Sequence, residues 1–171
     1  MIQILQPRLF VQSIYDIDLN RLMNRGVKGL ILDLDNTLVE WNQPVASQDL
    51  KDWLTAVKSY RFKTCIVSNN LSERVEQFSR HIGVMAIAKA AKPRRKAFRV
   101  AMKKMGTHHR ETAVVGDQVF TDILGGNRLK LFTILVKPMN DEEFWTTRLV
   151  RRVEEAFVSR DEPRRLSGRS F

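Results

Sequence analysis

Features of secreted and membrane proteins are scarce in this sequence. It contains a single cysteine, Cys65, among 171 residues, which excludes an intrachain disulfide and a metal site built from cysteine ligands. No apolar run approaches the roughly 18 residues that a membrane-spanning helix needs. The opening segment MIQILQPRLF has no basic region leading into a long apolar run, as a secretory signal peptide would. We therefore expect a cytoplasmic protein.

Acidic residues are scarce as well, and unevenly placed. The chain carries 29 Lys and Arg against 19 Asp and Glu, which gives a net charge of +10. Residues 89–110 include nine Lys or Arg and no acidic residue, and a second basic group lies between 148 and 169. An excess of positive charge on this scale indicates anionic partners and says little about the fold.

What is present suffices for one folded domain. Hydrophobic residues make up 43% of the chain and charged residues 28%, which is typical of a globular protein. We predict one domain over 1–158 and a flexible basic tail over 159–171. Strand and helix patterns alternate, which predicts an α/β fold: a three-layer, Rossmann-like parallel sheet with helices on both faces. The predicted strands are 29–34, 64–67, 84–88, 112–115 and 131–136, and the predicted helices are 19–25, 48–57, 72–81, 93–105, 122–126 (a turn or short helix) and 141–157.

Two carboxylates follow the first long strand. The run GLILDLDNTLVEW places Asp33 and Asp35 where the apolar residues end, with Thr37 close behind. Ligands bind at the carboxyl ends of parallel strands, so Ser68 and Asp117, which follow two later strands, are expected at the same edge. Two nearby carboxylates can divide the work of nucleophile and acid–base catalyst. The same pattern also fits a strand end with an Asx turn, and both interpretations stay open here.

Four further polar positions have functional chemistry and an ordinary alternative. The Ser68 hydroxyl can donate to a phosphate oxygen, although loop serines are usually turn residues. Lys92, just before a helix, can supply a compact positive charge to a phosphoryl group or be one solvated lysine among many. Asp117 is a hard oxygen ligand suited to Mg²⁺. Asp122 can serve beside it or cap a helix, and the two tasks are compatible.

In order and spacing, these residues resemble the four motifs of the haloacid-dehalogenase superfamily of phosphohydrolases, which appear here as DLDNT, Ser68, Lys92 and GDQVFTD. The resemblance covers about residues 27–136. It implies a Mg²⁺-dependent phosphomonoester hydrolase in which Asp33 is the nucleophile and Asp35 the acid–base catalyst. The other implied roles are phosphate binding by Thr37, Ser68, Asn69 and Lys92, metal binding by Asp33, Asp35 (through its backbone carbonyl) and Asp117, and support of Lys92 or of the metal's water shell by Asp122.

The intervals between the motifs are too short for the cap domain that many members of this superfamily carry. One helix and a loop fit between Thr37 and Ser68, and one helix and a short strand between Ser68 and Lys92. We expect an open, capless site that suits a bulky substrate. LDLDNTLV, VSNN, AKP and VGDQVFTDILGGNR look like the YqeG-type branch of subfamily IIIA, which is similar to phosphatidylglycerophosphate phosphatases. That resemblance implies an anionic lipid headgroup as the phosphorylated substrate.

The basic stretch offers a way to reach such a substrate. Arg94, Arg95 and Arg99 follow Lys92 and lie largely off the apolar side of their predicted helix. Basic residues near an anionic membrane contribute ~1 kcal/mol each, so we predict peripheral attachment at the inner membrane face that weakens with salt. A solvated basic face is the alternative. Apolar residues within 2–14 could add an interfacial anchor, although packing on the domain is the simpler expectation.

Two other functions compete with this interpretation. A receiver domain also uses Asp, Ser or Thr, Lys and Mg²⁺, but its phospho-acceptor lies on a middle strand after an acidic pair on the first. A long-lived aspartyl-phosphate would favour it. A nucleic-acid or ribosome-associated binding module would use the basic surface itself, yet no recognised binding motif or stacking platform accompanies the charge.

Overall fold

Six parallel strands form one sheet between two layers of helices. The computed structural model describes residues 2–41 and 43–139, and the strand order is β1-β6-β5-β2-β3-β4. Every neighbouring pair in that order is parallel. The strands are β1 (Leu9–Val11), β2 (Gly29–Leu32), β3 (Lys63–Val67), β4 (Met85–Ile87), β5 (Thr112–Gly116) and β6 (Phe132–Val136).

Two hydrophobic cores, one on each face, hold the helices against the sheet. Leu30 and Leu32 of β2 belong to the first core and Ile31 to the second, as alternation along a strand requires. Burial on both faces explains why β2 is a continuous apolar run. The first core is covered by α1 (Leu19–Asn24), α2 (Gln48–Ser59) and α3 (Ser72–Ile82), and the second by α4 (Arg95–Met105).

Shorter helical elements complete the described residues. A π-helical turn, Val119–Ile123, leads directly into the short helix α5 (Leu124–Asn127) after β5. Three 3-10 helices span Ile2–Leu5, Ile14–Asp16 and His109–Glu111. None of the helices in the described part of the chain is long and apolar enough to span a bilayer.

Local sequence signals set the ends of the longer helices. Asp18 and Ser47 accept hydrogen bonds from backbone amides three residues further on and so cap α1 and α2. Gly83 and Gly106 end α3 and α4 in the left-handed conformation, which glycine adopts without steric cost. Each helix therefore ends cleanly, and the loops before α3 and α4 lie at the carboxyl edge of the sheet.

Hydrogen bonds to α5 and β6 hold the segment before β2 at one edge of the sheet. The Asn127 side chain donates to the carbonyls of Ile4 and Gln6 at 2.8 and 2.9 Å, and accepts from the Thr133 hydroxyl at 3.0 Å. The Arg8 amide donates to the Thr133 carbonyl at 2.9 Å. These bonds hold β1 in register beside β6.

The predicted α/β fold is confirmed, with corrections at its margins. Strand β1 was not predicted, because three residues are too few to show alternation. Its segment packs Leu5 and Phe10 against the π-helical turn, which agrees with the simpler expectation of packing on the domain. Helix α4 begins at Arg95 and not at Pro93. The predicted last helix, 141–157, and the basic tail, 159–171, lie outside the described residues.

Candidate active site

Four charged side chains meet at the carboxyl edge of the sheet, almost removed from water. Asp33 follows β2, Asp117 follows β5, Lys92 lies in the loop after β4, and Asp122 comes from the π-helical turn. Each of the four residues is at most 7% exposed. The chain leaves β2 toward β3 on one side and later adds β5 on the other, so this edge holds the crevice where open parallel sheets bind ligands. We call these four residues the buried charge cluster.

Lys92 bridges two of the carboxylates. Its Nζ donates to Asp33 Oδ1 at 2.5 Å and to Asp122 Oδ1 at 2.7 Å. Burial by itself lowers the pKa of Lys92, but the charges of Asp122 and Asp33 outweigh burial, so the pKa is raised. Lys92 therefore stays an ammonium ion beside Asp33.

The lysine does not compensate all of the negative charge. Burial, and then the charges of Asp33 and Asp122, raise the pKa of Asp117 above its usual range. Burial likewise raises the pKa of Asp122, although Lys92 opposes it. Oxygens of the three carboxylates come within 4.8 Å of one another, and the Thr37 hydroxyl lies 3.4 Å from Asp117 Oδ1 and 3.5 Å from Asp33 Oδ2. Three carboxylates facing one lysine leave an excess of negative charge, so this oxygen donor set fits a divalent cation such as Mg²⁺.

The second carboxylate of the DLDNT motif has a partner that the sequence did not indicate. Arg74 of α3 donates to Asp35 Oδ1 through Nε at 3.0 Å and Nη2 at 2.8 Å, and to the Glu40 carbonyl at 3.3 Å. Asn70 Nδ2 donates to Asp35 Oδ2 at 3.0 Å. Both oxygens of Asp35 are thereby oriented. No spacing rule links Arg74 to a residue 39 positions earlier, so only the folded chain reveals the pair.

The loop after β3 contributes Ser68 and Asn69. Ser68 is buried, and its Oγ accepts from the Asn70 amide at 3.0 Å, which leaves the hydroxyl proton available to a ligand. Asn69 Oδ1 accepts from the Lys92 amide at 2.7 Å, and its Nδ2 donates to the Lys92 carbonyl at 3.3 Å. Asn69 therefore fixes the backbone that carries the lysine. The role predicted for Asn69 was phosphate binding, and that prediction did not include this contact.

A cavity of about 290 Å³ opens among these side chains. Small-molecule sites are usually ~300 to 1,000 Å³, so this cavity lies at the lower end of that range. Asp33 and Asp35 both border it, which brings the two carboxylates of one motif to one space. The other lining residues are Asn36, Trp41, Ser68, Asn69, Asn70, Leu71, Lys92, Gln118 and Thr121.

Close packing explains the glycines of the fourth motif and its continuation, GDQVFTDILGGNR. A β-carbon at Gly116 would lie 2.3 Å from the Asp122 carboxyl group, and one at Gly125 would lie 2.5 Å from the Phe98 ring. Only glycine lets the π-helical turn and α5 come this close to the residues beneath them. The motif therefore includes residues that place Asp122 without bordering the cavity.

A group of exposed basic side chains lies at the start of α4 and along it, apart from the buried charge cluster. Arg94, Arg95 and Arg99 are exposed, and Arg95 and Arg99 line a groove of about 800 Å³. We call it the α4 groove; no acidic side chain is among its lining residues. Besides those two arginines, they are Met102, Lys103, Gly106, Thr107, His108, His109, Arg128, Leu129 and Lys130.

Known proteins share sequence with the chain. A family model described as HAD-hydrolase-like matches residues 89–144. The chain is 44% identical over 153 residues to Probable phosphatase YqeG of Bacillus subtilis (strain 168), covering 90% of this chain and 89% of that protein. It is 29% identical over 168 residues to Phosphatidylglycerophosphate phosphatase 1, chloroplastic/mitochondrial, of Arabidopsis thaliana. That match covers 92% of this chain and spans about half of the relative, 48% of its length.

A solved structure shares the fold. The cobalt-bound deoxy-D-mannose-octulosonate 8-phosphate phosphatase of Haemophilus influenzae matches with a TM-score of 0.51. The match covers 66% of this chain and 69% of that one, at 16% identity. At this identity the likeness bears on the fold alone, and it agrees with the parallel sheet described above.

Proposed function

The chain belongs to the haloacid-dehalogenase-like hydrolases and, within them, to the YqeG-type phosphatases, and we propose that it hydrolyses phosphate monoesters through an aspartyl-phosphate on Asp33. The observation that carries this mechanism is the 2.5 Å contact between Asp33 and Lys92 inside a cluster that also holds Asp117. Phosphoryl transfer depends on positioning and charge neutralisation more than on covalent machinery. A nucleophilic carboxylate, a fixed cation and an oxygen donor set for a metal supply both.

The reaction divides into two balanced steps. An Asp33 oxygen attacks the phosphorus, the bond to the leaving oxygen breaks, and Asp35 gives that oxygen its proton. Asp35 then takes a proton from water, whose oxygen attacks the same phosphorus and frees inorganic phosphate from Asp33. Asp35 thus ends the cycle protonated, as it began.

The neighbouring side chains bind and orient. Lys92 neutralises Asp33 and the transferring group, and Ser68 and Thr37 donate their hydroxyl protons to phosphate oxygens. Asp122 and Asn69 hold the two ends of Lys92, its ammonium group and its backbone. Mg²⁺ would be held by Asp33, Asp117 and the Asp35 carbonyl, and when bound it would offset the charge of the phosphoryl oxygens.

For the substrate we propose an anionic phospholipid that ends in a phosphate monoester, with phosphatidylglycerophosphate as the candidate. The Arabidopsis relative carries that name, and the chain is similar to about half of it. The cavity supports the idea, since its volume of about 290 Å³ can take a phosphorylated headgroup but not the acyl chains of the lipid. The exposed Arg94 and Arg95 follow Lys92 closely and would favour an anionic headgroup beside the cavity.

The deciding experiment measures Mg²⁺-dependent phosphate release from phosphatidylglycerophosphate vesicles and from a soluble aryl phosphate, for the wild type and Asp33→Asn. We expect Asp33→Asn to lose on the order of 10⁴-fold in rate on both substrates, because the nucleophile is gone. Cleavage of the aryl phosphate alone would support the phosphatase activity and reject the lipid as its substrate. Cleavage of neither would reject both, and a stable aspartyl-phosphate would favour a receiver-type switch.

A second candidate function, binding of a nucleic-acid strand, is favoured by the α4 groove. Five Lys or Arg and two His line it, and no acidic side chain is among the lining residues. The double charge reversal Arg99→Glu with Lys103→Glu should abolish salt-dependent RNA binding there and leave phosphate release intact. RNA binding that survives the double variant would exclude the groove.

A further inference from the structure

The three most exposed large apolar side chains of the described residues stand around the mouth of the phosphate cavity. Leu71 is 66% exposed, Trp41 61% and Phe120 60%. Trp41 and Leu71 border the cavity, and Phe120 lies between two of its lining residues, Gln118 and Thr121. Trp41 and Leu71 come from the loops that follow β2 and β3, and Phe120 comes from the π-helical turn that follows β5. We call these three residues the apolar rim.

The chemistry inside the cavity gives no reason for the apolar rim. Hydroxyl, amide, carboxylate and ammonium groups surround the space for the phosphoryl group, and none of the three apolar side chains supports them by a hydrogen bond. Scattered exposed apolar residues are ordinary, whereas a group of them gathered around a polar site marks an interaction surface. The rim therefore faces something that is itself apolar next to a phosphate.

We propose that the apolar rim docks on an anionic lipid bilayer, so that a headgroup phosphate enters the cavity while Trp41, Leu71 and Phe120 lie at the acyl boundary. This inference rests on the proposed lipid phosphatase and names how its substrate is reached. Tryptophan is favoured at the membrane interface, because one side of its ring is apolar and the other donates a hydrogen bond. Arg94 and Arg95, at the start of α4, add positive charge on the same edge of the sheet.

The charge of the chain argues against a second copy as the occupant of the rim. The net charge is +10, and the exposed Arg94 and Arg95 follow Lys92, a lining residue of the cavity, by two and three positions. Two copies facing each other through this edge would bring like charges together, which disfavours association. An anionic bilayer supplies the opposite charge and the apolar layer at once.

The direct test uses vesicles of equal parts phosphatidylglycerol and phosphatidylcholine with brominated acyl chains, which quench tryptophan at the acyl boundary. We expect stronger quenching in the wild type than in Trp41→Phe, and Trp53 adds little to either because it is buried in the first core. Trp145 is present in both proteins and cancels in the comparison. Equal quenching of the two proteins, or none in either, would overturn the proposal.

A matched pair of variants measures binding separately from chemistry. Phe120→Ser removes a rim side chain that does not border the cavity, and Met85→Ser removes a 41% exposed side chain at the opposite edge, at the start of β4. Burying about half of an aromatic side chain corresponds to roughly tenfold in partitioning, so we expect Phe120→Ser to bind vesicles about tenfold more weakly and Met85→Ser to bind like the wild type. Equal binding by both variants would overturn the proposal.

The outcomes separate docking from substrate identity. Trp41-dependent quenching without hydrolysis of phosphatidylglycerophosphate would support the docking surface and reject that lipid as the substrate. Hydrolysis of detergent-dispersed phosphatidylglycerophosphate without Trp41-dependent quenching would support the lipid phosphatase activity and overturn the proposed docking surface. Light-scattering evidence of self-association that Phe120→Ser abolishes, again without quenching, would assign the rim to a second copy instead.

Discussion

The buried charge cluster and the α4 groove both gather charged side chains, but they are built in opposite ways. In the cluster, Lys92 has 3% of its side chain exposed and touches two carboxylates. In the groove, Lys103 and its basic neighbours are exposed, with no acidic side chain among the lining residues. A buried charge is tolerated only when it is paired, whereas solvent screens charges at the surface. The cluster therefore depends on each of its members, and the groove on none in particular.

Ion pairs to arginine in α3 fall between these extremes. Arg74 and its partner Asp35 have 25% and 14% of their side chains exposed, while Arg80 and Glu76, on the same helix, have 76% and 59% exposed. Exposed pairs contribute little to stability, so burial and geometry decide which pair matters. The comparison gives an order of expected effects, from Lys92 through Arg74 to the surface.

The largest effect is expected for Lys92→Met. Removing the cation leaves two buried carboxylates, Asp33 and Asp122, without their ion-pair partner beside a third, so phosphate release should fall by on the order of 10³-fold or more. The free energy of unfolding at neutral pH should fall by ~3–5 kcal/mol. Rates of phosphate release and urea unfolding curves measure the two losses.

The pH dependence of that stability loss has a definite sign. Without Lys92, the folded-state pKa values of Asp117 and Asp122, which burial already raises, should rise further above their unfolded values. The folded state then holds protons that the unfolded chain releases, so stability should fall as pH rises from 5 to 8. A variant as stable as the wild type at the upper end of that range would contradict the view that the cluster needs its cation.

A smaller effect is expected for Arg74→Ala. If Arg74 orients Asp35 for proton transfer, the rate on an alkyl phosphate should fall by about 10²-fold, because an alkoxide leaves poorly without a proton. An aryl phosphate, whose leaving group needs no proton, should lose much less. The ratio of kcat values for the two substrates is the measurement.

Two variants serve as controls for Arg74. Arg80→Ala should leave both rates unchanged, since its pair with Glu76 is exposed. Arg74→Lys should recover part of the alkyl phosphate rate. Equal losses on both substrates in Arg74→Ala would mean that the arginine merely braces the loop through the Glu40 carbonyl.

Gly116→Ala tests how closely Asp122 of the buried charge cluster packs against the end of β5. The added methyl group would meet the Asp122 carboxyl, so we expect a cost of ~1–3 kcal/mol in unfolding free energy together with a loss of activity. In an Asp122→Ala background the same change should cost clearly less, because the clash is gone. Denaturant unfolding of the four proteins of this double-mutant cycle measures the coupling, and a coupling of zero would show that the backbone relaxes instead.

The smallest effect is expected for Lys103→Met, the counterpart of Lys92→Met in the α4 groove. Its free energy of unfolding should change by no more than about 0.5 kcal/mol, and hydrolysis of a soluble aryl phosphate should be unchanged. Urea unfolding curves and rates of phosphate release again give the two measurements. A loss comparable with that of Lys92→Met would remove the distinction between the two regions.

The main residues of the site could be predicted from the sequence because short-range patterns indicate them. A continuous apolar run can only be a buried strand or helix, and a carboxylate at its end must find compensation, so Asp33 and Asp117 were placed at one edge before the fold was known. Strand alternation and helix capping are short-range properties that a sequence displays directly. The parallel sheet followed from their order along the chain.

What the sequence did not reveal depends on distant contacts. Arg74 is one of many basic residues, and only the packing of α3 brings it to Asp35. The apolar rim brings together residues from three separate segments of the chain. In the sequence, each of these residues looks like an ordinary core position such as Val75. Strand β1 is too short to show a period, and its place beside β6 is set by side-chain contacts from α5.

The fastening of β1 has a consequence for the order in which the molecule is made. The Arg8 amide bonds to Thr133, 125 residues later, and Asn127 holds the carbonyls before it. A chain that folds while the ribosome extends it can assemble β2, β3 and β4 early, but β1 finds its neighbour only after β6 has emerged. Strand β1 is thus synthesised before the other five strands of this sheet but is the last to be placed, and until then it is open to proteases and chaperones. Substitutions at Asn127 should therefore slow the maturation of newly made protein more than they change the rate of the finished enzyme.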